Sequence, residues 1–516
     1  MHSVALIVLI AIPLAGSLAV FALPDGRQLL AKQLALATSL AALVYAGALA
    51  IAFDNNGPRF QFQGSWTWIK SFGVHFAVGV DGIAMVLILM SAVLVPAVVL
   101  SSWNSVDTVV DAEASDQPRR SPKIFFGLVL LLEVFMLAVF AATDVFLFYV
   151  VFEAMLVPMY FIIGMFGGPR RQYAAMKFFL YSLLGGLLML AAVIGLYVTA
   201  GTGSFAFSDL VGKIPDSPSQ KLLFLGFFIA FAIKAPLVPF HTWLPDAGAE
   251  APVGGAILLV GVLDKVGTFG FLRYCLPLFP DAARYFAPTI LILSVVGILY
   301  AAFLAMGQRD MKRLVAYTSV AHFGFIGIGI FAFTTQGGTG AVLYMLNHGL
   351  STGALFMAIG FLVIRGKSRL IGDYGGTSKV TPKLGGAFLL AGLSALALPG
   401  MSTFVSEFLV LVGTFTRHKG LAILATSGII LAALYVLLLY QRTMQGTVSA
   451  KVAKFRDLNA RELLAVGPLI GLIVVLGIYP KPMTDMINPA VKATLSDVHK
   501  TDPPPASPNV RTESGR

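Results

Sequence analysis

Five ionisable residues lie inside long apolar stretches of the sequence, where a membrane would surround them. They are Glu133, Glu153, Lys234, Lys265 and Glu407. A charged side chain near the centre of a bilayer costs about 2.5–3.5 kcal/mol on insertion scales, so several in one helical bundle indicate a function. A single pair is explained equally well as structural pairing between helices. Five groups on five stretches favour a route for protons or cations.

Two of these residues lie close to residues that interrupt helices. Lys234 is followed by Pro236 and Pro239 in KAPLVPFHTWLPDA, and a Pro-Gly pair precedes Glu407 in LALPGMSTFVSEF. Because proline lacks an N–H and glycine favours non-helical backbone, both helices should break within the membrane. Broken backbone at that depth is tolerated only inside protein or beside a wet cavity. The two sequences therefore predict an internal hydrated route.

Lysine is an informative residue type at such a position. A buried lysine takes up or releases a proton when a neighbouring carboxylate approaches or withdraws, and coupled groups titrate as a set. We therefore predict that Glu153 pairs with Lys234, that Lys265 lies next along the route, and that Glu407 is the terminal group.

Two histidines, His322 and His348, lie in apolar stretches 26 residues apart and are candidate proton carriers. A histidine packed through a hydrogen bond explains either residue equally well. A haem held by the pair is a further alternative, but no accompanying haem motif supports it.

The composition indicates the elements that hold these residues. Hydrophobic residues make up 57% of the 516 residues and charged residues 12%, against about 25% charged in soluble domains. We predict an all-α polytopic membrane protein, because each apolar run approaches the roughly 20 residues that cross a bilayer as a helix. The fourteen predicted spans are 2–23, 29–52, 79–102, 123–142, 144–166, 175–200, 221–242, 251–277, 285–306, 313–333, 338–364, 384–414, 420–441 and 464–480.

The basic residues predict the orientation of these spans. With the N-terminus outside, the loops on the cytoplasmic side hold 21 Lys and Arg and the outer loops hold 8. Both termini are therefore expected on the extracytoplasmic side. The net charge of +11 is explained by this bias, so nucleic acid is not an expected partner.

The spacing of the two predicted breaks indicates an internal repeat. Five spans in 123–277 match five in 285–441, and an odd number of spans gives the copies opposite orientations, as in many ion-coupled transporters. Residues 1–122 form three helices and a cytoplasmic loop, and 442–480 form a loop and the last helix. Residues 481–516 are expected to be a polar, disordered tail.

Redox and nucleotide chemistry have no evident site in this chain. Cys275 is the single cysteine, so no disulfide and no cysteine-ligated iron–sulfur cluster can be built from it. No phosphate-binding loop or dinucleotide-binding glycine motif occurs. Energy for transport must come from an ion gradient or from a partner.

Four segments resemble the antiporter-like proton-channel subunits of respiratory complex I. They are FYVVFEAMLVPMYFIIGMFGG (148–168), KAPLVPFHTWLPDAGAEAPVGGAILL (234–259), GQRDMKRLVAYTSVAHFGFI (307–326) and LALPGMSTFVSEFLV (396–410). The resemblance extends from about residue 75 to 480. It implies fourteen helices, two inverted five-helix repeats and broken seventh and twelfth helices.

The resemblance also implies roles and partners. Glu153, Lys234, Lys265 and Glu407 match the carboxylates and lysines of the fifth, seventh, eighth and twelfth helices, and Glu133 resembles a carboxylate of the fourth. Electron transfer from NADH through FMN and iron–sulfur clusters to quinone, in other subunits, would drive proton movement in this chain. The expected location is the bacterial inner (plasma) membrane, with the antiporter-like subunits L and N as neighbours.

Related proteins supply the alternatives. Subunit L has a long C-terminal helix that the short tail here cannot match, and subunit N usually has lysine where this chain has Glu407. Mrp-type sodium/proton antiporters and membrane-bound hydrogenases contain similar subunits. A structural scaffold with inert charges is a further alternative, which the cost of burying charge disfavours.

Overall fold

The first part of the fold comprises three helices and a β-hairpin. The computed structural model describes residues 4–104 and 121–504. The elements are α1, Ala5–Ala22; α2, Gln28–Ala52; β1, Gln61–Ile69; β2, Val74–Val80; and α3, Gly82–Ser102. The antiparallel hairpin was not predicted, and it moves the start of α3 from residue 79 to Gly82. Helix α3 begins there because the Asp81 carboxylate accepts a hydrogen bond from the Ala84 N–H at 2.9 Å.

The two predicted five-span regions each contain one interrupted helix, at the fourth of the five positions. The first region has α4, Pro122–Ala141; α5, Val145–Phe166; α6, Arg171–Ala200; α7a, Pro218–Lys234; α7b, Leu244–Glu250; and α8, Val253–Leu278. The second has α9, Pro280–Met306; α10, Met311–Phe331; α11, Thr335–Gly366; α12a, Pro382–Ala395; α12b, Ser402–Phe415; and α13, Lys419–Met444. Single turns lie at Lys70–Phe72, Phe207–Leu210, Ile371–Asp373, Thr377–Val380 and Val452–Lys454. The inverted relation between the regions stays a prediction.

The chain continues through α14, Ala460–Ile478, into α15, Lys481–Asp497. The prediction of a disordered tail is therefore wrong for 481–497, and residues 505–516 lie outside the described part. The polar composition of this segment obscured an apolar face with helical spacing, which includes Met486, Ala490 and Val491. That face is buried where α15 packs against α3 and α11.

Within the described residues, 12 helices are long and apolar enough to cross a membrane. The interrupted helices α7a–α7b and α12a–α12b lie where the two remaining spans were predicted, and the total of fourteen stays a prediction. Burial differs among the spans. In the most apolar 18-residue stretch of each helix, 100% of the residues are buried in α8 and 94% in α10, whereas only 33% are buried in α1 and in α14. The helices carrying Lys265 and His322 therefore lie at the centre of the bundle.

The loops predicted to be cytoplasmic meet at one end of the bundle, which we call the basic face. Gly168 N–H donates to the Glu250 carbonyl at 2.8 Å, and Met311 N–H donates to the Arg369 carbonyl at 2.9 Å. The hairpin and α15 meet at the opposite face, where Arg59 and Asp497 form an ion pair at 2.7 Å. The helices therefore span between two distinct faces.

Candidate functional site

Helix α7a ends at Lys234, as the two prolines predict. Pro236 has no N–H to continue the helix, and the Leu237 N–H instead reaches back to the Ala232 carbonyl at 3.0 Å. The indole N–H of Trp243 donates to the Ile233 carbonyl at 2.8 Å and satisfies another group of the broken end. Lys234 is thus placed at a helix terminus inside the bundle.

The ammonium group of Lys234 is buried against aromatic rings. Its Nζ atom lies 4.8 Å from the ring centroid of Phe152 and 5.7 Å from that of Phe178. It has no hydrogen-bond partner among the described residues. Glu153 and Lys234 interact electrostatically, but no direct ion pair joins them in the described part of the chain. The pairing of Glu153 with Lys234 therefore stays a prediction.

Glu153 is held close to α6 by a glycine. A Cβ atom on Gly186 would lie 1.9 Å from Glu153 Oε1, so only glycine leaves space for the carboxylate there. Glu153 Oε1 is buried without a hydrogen-bond partner among the described residues. The carboxylate therefore lies directly against the backbone of α6.

Helix α8 carries Lys265 between two wider turns. Residues Leu259–Leu263 and Phe271–Cys275 are π-helical, a local form frequent at functional sites. The Nζ atom of Lys265 donates to the carbonyl of Val260, which lies in the first of these π-helical turns. At Gly267, a Cβ atom would lie 2.4 Å from the Phe231 carbonyl oxygen, so glycine permits α8 to approach α7a closely.

Asp264 is a buried carboxylate that precedes Lys265 on α8 and is not among the residues predicted from the sequence. It is fully buried, and neither carboxylate oxygen has a hydrogen-bond partner among the described residues. It interacts electrostatically with both Lys234 and Lys265. Asp264 is therefore a carboxylate whose charge acts on both of the lysines that were predicted from the sequence.

The histidines continue from Lys265 into the second region. Lys265 Nζ lies 2.7 Å from His348 Nδ1 on α11. The His348 ring lies edge to face with that of His322 on α10, with centroids 5.1 Å apart. His348 Nε2 and His322 Nδ1 have no hydrogen-bond partner in the described part of the chain. Both rings thus present nitrogens that can accept or donate a proton.

Tyr344 joins His322 to Glu407. The rings of His322 and Tyr344 have centroids 5.7 Å apart, and the Tyr344 hydroxyl donates to Glu407 Oε2 at 3.5 Å. Tyr344 is not among the residues predicted from the sequence, although its position four residues before His348 places it on the same face of α11. Glu407 is buried, with 4% of its surface exposed.

The second break is stabilised by two local arrangements. At the end of α12a, the Ala397 N–H donates to the Ser394 carbonyl and the Leu398 N–H donates to the Leu393 carbonyl. These two bonds form a Schellman motif, in which Ala397 adopts a left-handed conformation with φ 59°. The Asn347 side chain donates to the Ser402 carbonyl at 2.7 Å and so ties the start of α12b to α11. The predicted interruption before Glu407 is confirmed.

Glu133 lies apart from this set. It is fully buried on α4, and both carboxylate oxygens have no hydrogen-bond partner among the described residues. The described part of the chain, residues 4–104 and 121–504, contains no group of three or more His, Cys, Asp or Glu that could hold a metal ion. The structure thus brings together Glu153, Lys234, Lys265, His348, His322 and Glu407, with Asp264 and Tyr344 between them.

A family model described as NADH:quinone oxidoreductase/Mrp antiporter, TM, matches residues 142–433. Among curated relatives, "NADH-quinone oxidoreductase subunit M" of Mycobacterium tuberculosis is 47% identical over an alignment of 522 positions. The alignment covers 96% of this chain and 94% of the relative. The matched region includes every member of the set described above.

Solved structures extend the comparison. A chain of respiratory complex I from Thermus thermophilus is 30% identical with a TM-score of 0.85, covering 96% of this chain and 100% of that one. A chain of the Mrp complex from a Dietzia species has a TM-score of 0.83 over 97% of this chain and 99% of that one, but at 19% identity it shows the fold alone. This chain belongs to the antiporter-like subunit M family of NADH-quinone oxidoreductase, respiratory complex I.

Proposed function

We propose that this chain translocates protons as a membrane subunit of NADH-quinone oxidoreductase. The protons move along a row formed by Glu153, Lys234, Asp264, Lys265, His348, His322, Tyr344 and Glu407. The observation that carries the proposal is the 2.7 Å contact between Lys265 and His348, because it joins the two five-span regions through groups that exchange protons.

The lysine half of the row works through charge. Lys234 is close enough to both Glu153 and Asp264 to interact with their charges, yet it has no hydrogen-bond partner among the described residues. Movement of one carboxylate toward Lys234 would favour its charged form, and withdrawal would favour release of a proton. A change at Glu153 is thereby passed to Lys265 through Asp264.

The histidine half of the row works through direct transfer. Lys265 donates a proton to His348 Nδ1, and the imidazole can release one from Nε2. A water molecule bridging His348 and His322 is sufficient to carry the proton onward. The hydroxyl of Tyr344 then connects His322 with Glu407, the terminal carboxylate.

The energy for this movement comes from partner subunits. In the proposal they hold FMN, iron–sulfur clusters and quinone, and NADH-to-quinone electron transfer drives the charge changes at Glu153. Subunits L and N are the proposed neighbours. The membrane is the bacterial plasma membrane, with the basic face toward the cytoplasm and both termini outside, in line with the excess of Lys and Arg.

The test compares proton pumping with NADH oxidation in membrane vesicles containing the whole complex. Glu153→Ala and Glu407→Ala should each lower the number of protons moved for each NADH oxidised. Asp485→Asn on α15 is the control, because its carboxylate pairs with Lys481 outside the row. An unchanged proton-to-NADH ratio in both variants would refute the proposed row.

The alternative is a subunit of an Mrp-type sodium/proton antiporter or a membrane-bound hydrogenase. Purification of the chain from its native membrane separates these possibilities. Co-purification with a flavin-containing assembly that oxidises NADH supports the proposal. Companions limited to small membrane proteins, with sodium-dependent proton movement, would support the Mrp alternative.

A further inference from the structure

A pocket of about 550 Å³ opens on the basic face between the ends of α3, α11 and α14. Ser101 of α3 and Ile364 of α11 form part of its wall. Its charge is dominated by five basic residues, which define what we call the basic pocket: Arg365, Lys367, Lys454, Arg456 and Arg461. Asp457 and Glu462 are the acidic residues in the same lining, so the pocket carries excess positive charge.

The two acidic residues already have partners in the fold. The Glu462 carboxylate accepts from Arg365 at 2.7 Å and 3.1 Å. The Asp457 carboxylate accepts from the backbone N–H groups of Lys383 and Leu384 at 2.9 Å and 3.0 Å. Both acidic groups therefore form hydrogen bonds that stabilise the starts of α14 and α12a.

Three of the basic side chains remain exposed at the pocket. They belong to Lys367, Lys454 and Arg456, and no ion pair with another described residue involves them. The first turn of α14 also lines the pocket, and a helix N-terminus adds partial positive charge. An anion with several oxygen atoms, such as a phosphate ester, fits this arrangement.

The pocket continues into the apolar surface of α14. Leu464, one turn beyond Arg461, is 64% exposed, and Val475 is 55% exposed further along the same helix. Gly467 and Gly471 lie between them, and a Cβ atom added at either position would have no neighbouring atom within 4 Å. The helix surface at these two glycines is therefore open. An acyl chain can therefore lie along α14 directly below the pocket.

We propose that the basic pocket binds the phosphodiester headgroup of an anionic phospholipid, with its acyl chains along α14. Free inorganic phosphate shares the headgroup chemistry but makes no use of the apolar surface. The proposal does not depend on the proton route, because none of the pocket residues belongs to the row from Glu153 to Glu407.

The test measures binding of phosphatidylglycerol to the purified, delipidated whole complex in detergent that contains phosphatidylcholine. The test variant is Lys367→Ala/Lys454→Ala/Arg456→Ala. The control is Lys379→Ala/Lys383→Ala/Lys451→Ala, which removes the same charge from exposed lysines outside the pocket. The test variant should bind on the order of 100-fold more weakly at one site, since each of the three basic residues contributes about a factor of 5. The control should bind like the unaltered complex.

A second variant tests the acyl-chain surface without changing any charge. Gly471→Trp fills the open space on α14 and should weaken phosphatidylglycerol binding while NADH oxidation by the complex is kept. The proposal is overturned if the triple pocket variant and its control bind phosphatidylglycerol equally. It is also overturned if inorganic phosphate binds the pocket as tightly as the lipid does, or if Gly471→Trp leaves lipid binding unchanged.

Discussion

Lys265 Nζ and His348 Nδ1 lie 2.7 Å apart although the two residues are 83 positions apart in the chain. Lys265 belongs to the last helix of the first five-span region, and His348 belongs to the third helix of the second. A proton that passes between them crosses from one region to the other. This contact is therefore the point at which the two halves of the proposed row depend on each other.

The contact predicts that His348→Phe interrupts transport at the junction between the regions. Phenylalanine keeps the aromatic packing and removes both ring nitrogens. We expect proton pumping to fall by about 100-fold or more, the usual contribution of a positioned acid–base group. Pumping is measured in vesicles against NADH oxidation. His418→Phe, beyond the end of α12b, serves as the control, and equal pumping by the two variants would count against the junction.

Lys234→Met should abolish proton transport while leaving membrane insertion intact, because methionine fills the aromatic site without carrying a proton. Lys221→Met is the matched control, since Lys221 lies on the same helix α7a with its Nζ 3.9 Å from the Tyr285 ring. The measurements are the pH gradient formed on NADH addition and the amount of chain in the membrane. A variant that still pumps would remove Lys234 from the row.

Asp264→Asn tests the buried carboxylate that interacts by charge with Lys234 and Lys265. Asparagine has almost the same shape but loses the charge between Lys234 and Lys265. We expect pumping to fall by about tenfold or more, because one pKa unit of charge interaction corresponds to a factor of 10 in proton affinity. Asp209→Asn, an exposed position, is the control. Normal pumping by Asp264→Asn would remove Asp264 from the row.

Tyr344→Phe removes the hydroxyl that donates to Glu407 and keeps the ring beside His322. A hydrogen bond contributes about 0.5–1.5 kcal/mol net, so the rate of pumping should fall by about 2–10-fold and the complex should remain assembled. Tyr45→Phe on α2 is the control. Initial rates of vesicle acidification measure the effect, and a rate equal to that of the control would leave Tyr344 with a packing role only.

A buried ion pair near the opposite face predicts an effect on stability. Arg273 and Asp81 are joined at 2.8 Å with side chains 1% and 2% exposed. Arg273→Met should destabilise the fold by about 3–5 kcal/mol, because it leaves the Asp81 charge buried and unpaired. Adding Asp81→Asn should recover much of the loss, since asparagine can still cap α3. Thermal unfolding midpoints of the three proteins test this, and an additive double variant would contradict it.

The sequence predicted the two interrupted helices because their cause is local. Proline without an N–H and a Pro-Gly pair interrupt a helix wherever they occur. Lys234 lies two residues before Pro236, and Glu407 lies about two turns after the Pro-Gly pair. The amphipathic helix α15 was missed because overall polarity outweighed its short apolar face. The hairpin of β1 and β2 was missed because it lies between spans, where membrane hydropathy carries no signal.

The sequence by itself determined that this is a membrane protein with ionisable residues inside its helices, since hydropathy and the cost of burying charge depend only on residue type. It also determined which residues were candidates. Only the tertiary structure decided their order, because contacts between helices depend on packing: Lys265 contacts His348, Asp264 interacts by charge with Lys234, and Tyr344 donates to Glu407. Apart from the neighbours Asp264 and Lys265, these residues are distant in sequence, and they come together only when α7a, α8, α10, α11 and α12b pack around one core.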